Sequence, residues 1–202
     1  MLVIFDYDGV LVDTVEKCLD CFRDSVKETL PGEDAEKARK YFDEQKGRPL
    51  EEIAEELFGK KKARIVLKKH LKKEEEITSN NVAFEGVRKM AEKLLLEGHT
   101  IAISTSFMHD GVWNRVKNAG LDDLFKKELV VGWKKGFRKP DHVGYLLKQS
   151  GEKEAVFFDD GMKSVEELRE RGVRAFHFGT DVKTHSGIVK TVLSVAEASR
   201  RQ

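Results

Sequence analysis

Beyond Gly86 the chain alternates short apolar runs with helix-period segments, and this alternation leaves few folds open. Residues 100–106, 128–131, 155–158 and 174–178 read as strands, each a brief apolar run bounded by turn residues. Residues 109–119, 141–148, 163–171 and 186–199 place their apolar positions three and four apart and read as helices, with Gly120 and Gly172 as stops. Strands joined by single helices pair in parallel through right-handed crossovers, so both faces of such a sheet are covered by helices. Leu2–Phe5 is a further apolar run with no polar break, which suits a strand of this sheet buried on both faces.

Between that first strand and the repeating pattern lies a stretch of different character. Val15, Cys18, Leu19, Phe22, Val26 and Leu30 form one apolar helix face, with Asp13-Thr14 as N-cap and Pro31-Gly32 as stop. A polar helix over 33–46, the break Gly47-Arg48-Pro49, a short helix over 50–58 ending at Gly59, and a basic helix over 60–73 closed by a Glu-rich turn follow. The organisation expected is an α/β domain made of 1–14 and 83–202, interrupted by a helical unit over 15–82. That unit must sit near the end of the sheet at which the first strand stops.

Charge excludes several partners. Lys+Arg number 37 against 36 Asp+Glu, a net charge of +1, so no overall field draws nucleic acid or membrane. The basic run over 60–73 lacks interleaved aromatics and reads as the solvated face of an amphipathic helix. No apolar run is long enough to span a bilayer. A strand opening at residue 2 leaves no room for a signal peptide, which predicts a cytoplasmic protein. Cys18 and Cys21 share a helix with no second pair to complete a zinc site, and read as ordinary reduced residues.

The strand ends carry the chemistry. Asp6 and Asp8 follow the first strand with Gly9 at the turn, Ser104-Thr105-Ser106 end the second, and Asp159-Asp160-Gly161 end the fourth. Arg138-Lys139-Pro140 opens the helix before the fourth. Ligands in open α/β sheets collect beyond the carboxyl ends of the strands. Carboxylates there, with backbone N–H groups between them, suit a hard cation and a phosphoryl group held together. Taken alone, Asp6-x-Asp8-Gly9 could equally be a strand with an acidic turn.

These motifs, in this order, resemble those of the haloacid dehalogenase-like hydrolase superfamily, closest to its phosphoglycolate phosphatase and phosphoglucomutase branch. Asp6-x-Asp8-Gly-Val matches the first motif, Thr105 the second, Lys139 before Pro-Asp the third, and the acidic pair after Val156-Phe-Phe158 the fourth. The resemblance runs from residue 2 to about 180 and places the helical unit where the family carries its helical cap. It implies a Rossmann-like five-stranded sheet in the order fifth-fourth-first-second-third. It also implies a Mg²⁺-dependent phosphatase acting on a small phosphorylated molecule, with Asp6 as nucleophile and Asp8 as general acid and base. Asp6, Asp160 and Asp159 would hold the metal with the Asp8 backbone carbonyl, while Thr105, Ser106, Lys139 and backbone N–H groups after Asp6 would hold the phosphoryl group. Relatives that cleave carbon–halogen bonds lack the second Asp, so Asp8 favours phosphoryl transfer.

Two departures stand out: the fourth strand ends in Asp159 rather than Gly, with Ser164 where an acid is common, and Phe84-Glu85-Gly86 lacks a frequent Pro. A phosphomutase using the same aspartyl phosphate is the alternative activity, and a non-catalytic binding protein a remoter one. Arg48, in the loop between two cap helices, is expected either to grip a second anionic group of the substrate or to pair with Glu51 or Glu52 at the surface. His109 is a candidate for the cleft, and Trp113 and Trp133 for packing.

Overall fold

A computed structural model describes residues 1–78 and 81–201; the side chains of 77, 78 and 108–110, His109 among them, lie outside the described residues. The elements in chain order are β1 (Leu2–Phe5), α1 (Val15–Thr29), α2 (Ala35–Glu44), α3 (Leu50–Thr78) and α4 (Val87–Leu96). They continue with β2 (Thr100–Met108), α5 (His109–Asn118), β3 (Val130–Trp133), α6 (Lys139–Ser150), β4 (Ala155–Asp159), α7 (Met162–Glu170), β5 (Arg174–His177) and α8 (His185–Arg200).

The sheet runs β3-β2-β1-β4-β5 with every pair parallel, which is the expected order. β1 is its centre, paired with β2 on one side and β4 on the other, and all four of its residues are fully buried. Side chains alternate across the pleat. Val3 and Phe5 meet Ile101, Ile103, Val156 and Phe158 under α4, α5 and α8. Leu2 and Ile4 meet Ala102, Val131, Phe157 and Ala175 under α6 and α7. The helices of 15–78 have a core of their own, built on Phe22, Val26, Ala38, Ala54, Ala63 and Val66. Its lysines pair across the unit: Lys62 of α3 with Glu33 in the connection from α1 to α2, and Lys69 of α3 with Glu28 of α1 at 2.7 Å.

Several boundaries differ from expectation, each for a local reason. The expected helix over 33–46 spans Ala35–Glu44, since Asp34 caps it by accepting from the Lys37 N–H at 3.0 Å. Gly59 breaks α3 as expected, with φ +70° and ψ 160°. The Glu-rich segment after Lys73 is helix rather than turn, which brings Glu74 one turn beyond His70. β3 begins at Val130, because 127–129 coil into a 3₁₀ turn. α6 opens two residues early, at Lys139, where the Asp141 carboxylate accepts from the Arg138 N–H at 3.0 Å. Thr14 stands at the N-cap of α1, but its hydroxyl makes no capping bond; it donates to Asp8 Oδ1 at 2.5 Å. Among the described residues no helix is long and apolar enough to cross a membrane.

Candidate active site

The carboxyl ends of β1, β2 and β4 and the first turn of α6 meet in one buried cluster. Lys139 Nζ lies 2.7 Å from Asp6 Oδ2 and 2.7 Å from Asp159 Oδ2. An ammonium at a helix N-terminus is electrostatically disfavoured, and here both carboxylates compensate it. Burial opposes the charge on Lys139, yet Asp159 and Asp6 outweigh it and hold its pKa above the usual lysine range. Asp159 is fully buried: its Oδ1 accepts from the Gly161 N–H at 2.9 Å, and its Oδ2 also accepts from Ser164 at 2.6 Å. The Asp6 Oδ1 accepts from the Tyr7 N–H at 2.7 Å, so that N–H, expected to face a phosphoryl oxygen, is turned to Asp6 itself.

Asp6, Asp159 and Asp160 each offer a carboxylate oxygen within 4.8 Å of the others. Burial first, then its neighbours Asp159 and Asp160, push the Asp6 carboxyl up, with Lys139 pulling the other way. Burial and Asp159 push Asp160 up to about 7, again against Lys139. Three crowded carboxylates with one lysine leave an excess of negative charge, and their donors are all oxygen. That combination fits a hard divalent cation such as Mg²⁺. The Asp8 carboxylate is outside this cluster.

Thr105, 2% exposed, accepts from the Phe107 N–H at 3.1 Å, which leaves its hydroxyl proton to donate elsewhere. Ser106, expected on the phosphoryl group, donates instead to the Gly47 carbonyl at 2.8 Å. Arg48 borders a cavity that Asp6, Asp8 and Thr105 also line, but its guanidinium is held by both Glu56 oxygens at 2.5 and 3.0 Å, with Glu52 at 3.7 Å. Trp113 packs on the sheet core, whereas Trp133 borders the cavity.

Three residues of this neighbourhood, Arg115, Glu74 and His70, escaped sequence reading as site residues, and Ser164 entered it only as a departure from the family pattern. Arg115 of α5 holds Asp8 with both terminal nitrogens, at 2.5 and 3.1 Å, and stacks over the rings of Tyr7 and Phe107. Glu74 lies 3.9 Å from Arg115 and 3.3 Å from His70 Nε2. Burial opposes a charged His70, but its bonds with Cys21 and Glu74 prevail and raise its pKa to about 9. Ser164 holds Asp159. The one signal available was the i, i+4 spacing of His70 and Glu74. Cys18 and Cys21 are free thiols, and Cys18 donates to Glu74 at 3.3 Å.

A doubly wound parallel sheet with a buried carboxylate–lysine cluster beyond the carboxyl end of its central strand defines an α/β protein whose candidate site lies where such sheets bind their ligands. The model of the haloacid dehalogenase-like hydrolases matches residues 3–177, and the chain belongs to that family. Among solved structures, a protein assigned as a phosphoglycolate phosphatase from Haemophilus somnus 129PT is similar with a TM-score of 0.71 at 17% identity, over 87% of this chain and 84% of its own. A phosphatase assignment from Clostridium acetobutylicum gives a TM-score of 0.69 at 18% identity, over 96% and 98%. A β-phosphoglucomutase assignment from Thermotoga maritima gives 0.62 at 19%, over 94% and 90%. At such identities the likeness establishes the fold alone. No curated protein sequence matches.

Proposed function

We propose that this hydrolase is a phosphatase of small phosphate monoesters, with residues 15–82 as a cap over a core of 1–14 and 83–202. The observation that carries the reading is the contact of Asp6 with Lys139, 2.7 Å apart at the end of the central strand. Asp6 supplies an oxygen nucleophile while Lys139 supplies the charge that a phosphoryl dianion needs in order to approach it.

An Asp6 oxygen attacks phosphorus, the P–O bond to the substrate alcohol breaks, and Asp8 gives that alcohol its proton. Asp8 then takes a proton from water, whose oxygen attacks the aspartyl phosphate and regenerates the Asp6 carboxylate with release of inorganic phosphate. Thr105 donates to a phosphoryl oxygen throughout. Asp6, Asp159 and Asp160 are the residues that would hold Mg²⁺, which when bound offsets repulsion between the phosphoryl oxygens and these carboxylates.

The test is phosphate release from p-nitrophenyl phosphate by the purified protein. Asp6→Asn should cost at least about 10³-fold in turnover, because an amide cannot form the acyl phosphate. The variant should be no less heat-stable than the parent, since one of three crowded charges is gone. Turnover near the parent rate in Asp6→Asn, or full activity after exhaustive chelation, would overturn the reading.

A further inference from the structure

The cavity above Asp6 has a volume of about 140 Å³. Its floor is polar, with Asp6, Asp8, Thr105 and Asp160. Its upper wall is apolar: Val15 and Leu19 from α1, Phe42 from α2, Leu67 and Leu71 from α3, and Phe107 from the core side.

Most of the polar side chains that border the cavity are engaged, the exceptions being Trp133 Nε1 and His70 Nδ1, which are buried without a partner among the described residues. Arg48 is clamped by Glu56, Lys46 pairs with Asp43 at 2.8 Å, and Ser106 is bonded to Gly47. His70 and Cys18 both turn to Glu74. Glu51 also borders the cavity, and burial followed by its neighbours Glu55 and Glu52 pushes its carboxyl up. A substrate carboxylate would therefore meet Glu51 and cations that already have acid partners: Arg48 with Glu56, Lys46 with Asp43 and His70 with Glu74. The several hydroxyls of a sugar would meet Val15, Leu19, Leu67 and Leu71 and lose hydrogen bonds to water that the single indole N–H of Trp133 cannot replace.

We infer that the substrate is a phosphomonoester of a small apolar alcohol, its carbon part on the scale of a single ring. Size and lining both lead there: an apolar cavity of about 150 Å³ holds benzene, so a cavity of about 140 Å³ that must also seat the phosphoryl group admits a carbon part of at most a single ring. The phosphoryl group sits at the polar floor, and the apolar group fills the space under α1 and α3. This rests on the phosphatase reading for its chemistry, but the wall's preference can be measured separately.

The experiment compares kcat/KM for benzyl phosphate, glycerol 3-phosphate and 2-phosphoglycolate. All three leave as aliphatic alcohols, so intrinsic leaving ability is comparable. Benzyl phosphate should lead each of the others by at least about tenfold, the scale on which an apolar pocket discriminates. In parallel, calorimetric binding of benzylphosphonate against phosphonoacetate asks the same of the pocket without turnover. Hydrolysis led by 2-phosphoglycolate or glycerol 3-phosphate would leave the phosphatase standing and overturn the apolar assignment. No hydrolysis of any ester, with benzylphosphonate still binding the tighter, would do the reverse. Phosphonoacetate binding as well as benzylphosphonate would also overturn the assignment.

Discussion

Asp8 is held by more of the molecule than a turn residue needs. Both terminal nitrogens of Arg115 reach its carboxylate, and Thr14 gives up its capping role to donate a third bond. Planar, two-point contact of this kind fixes orientation as well as charge. Arg115 is thus a positioning residue for the proposed general acid. Arg115→Lys keeps the charge but loses the fork, and it avoids the unpaired buried acids that a neutral residue would leave behind. Its kcat should fall about 10–100-fold on an alkyl phosphate, whose alkoxide needs a proton to leave. On p-nitrophenyl phosphate, whose phenolate leaves unaided, the fall should be slight. Equal losses on both esters would mean general damage rather than a misplaced acid. Asp6, Asp8, Thr105 and Lys139 could be read from the sequence because each stands at the end of an apolar strand or the start of a helix. Arg115 could not: it lies inside α5, 107 positions from Asp8, and only the winding of the sheet brings the two together. Ser164 was visible only as a departure from the family pattern, and its bond to Asp159 gives it a role.

At the scale of elements, the loop between α2 and α3 is pressed onto the start of α7. A Cβ on Gly161 would lie 2.8 Å from the Lys46 carbonyl oxygen and 2.9 Å from Gly47 Cα, closer than real Cβ atoms approach. Gly161 has φ −92°, a value any residue adopts, so Gly161→Ala tests the contact without backbone strain. Its N–H to Asp159 survives the change. Gly161→Ala should therefore retain the fold while pushing the 45–49 loop off the core. Protease should then cut that loop faster, and kcat/KM should fall roughly 10–100-fold, as for a displaced positioning element. Unchanged proteolysis and rate would show that the loop does not need this approach. The sequence marks Gly47 and Gly161 as breakers, but closeness between residues this far apart in the chain has no local signature. Most helix and strand identities were legible from period, the exception being the Glu-rich segment after Lys73, which was expected as a turn and is helix. Their ends shifted wherever a single cap or a 3₁₀ turn decided the matter, as at Asp34, Arg138 and 127–129.

Across the whole molecule, a line of alternating charge joins the helical layer to the carboxyl end of the sheet: His70, Glu74, Arg115, Asp8. His70 and Glu74 come from α3, 2% and 5% exposed, and Arg115 and Asp8 from the α/β layer. Cys18 and Cys21 are the other titratable groups packed on this pair, and burial pushes the Cys18 thiol well above its usual range. The His70 pKa, about 9 when folded against an ordinary 6.5, means that the folded state binds its proton more tightly. The stability so contributed is fully present below pH 6.5 and is lost as pH rises through about 9. Burial works against a charged Glu74, but His70 and Arg115 outweigh it and lower its pKa, so its contribution is present above the ordinary 4.5 and lost on acidification below that. The pair thus supports the fold best between about pH 4.5 and 6.5. His70→Gln removes the titration while keeping a donor for Glu74. Urea unfolding at pH 6 should show the parent more stable than this variant, and that advantage should shrink by on the order of 2–3 kcal/mol by pH 10. An advantage that stays constant from pH 6 to 10 would mean that His70 is buried neutral, and the line of charge would then end at Glu74.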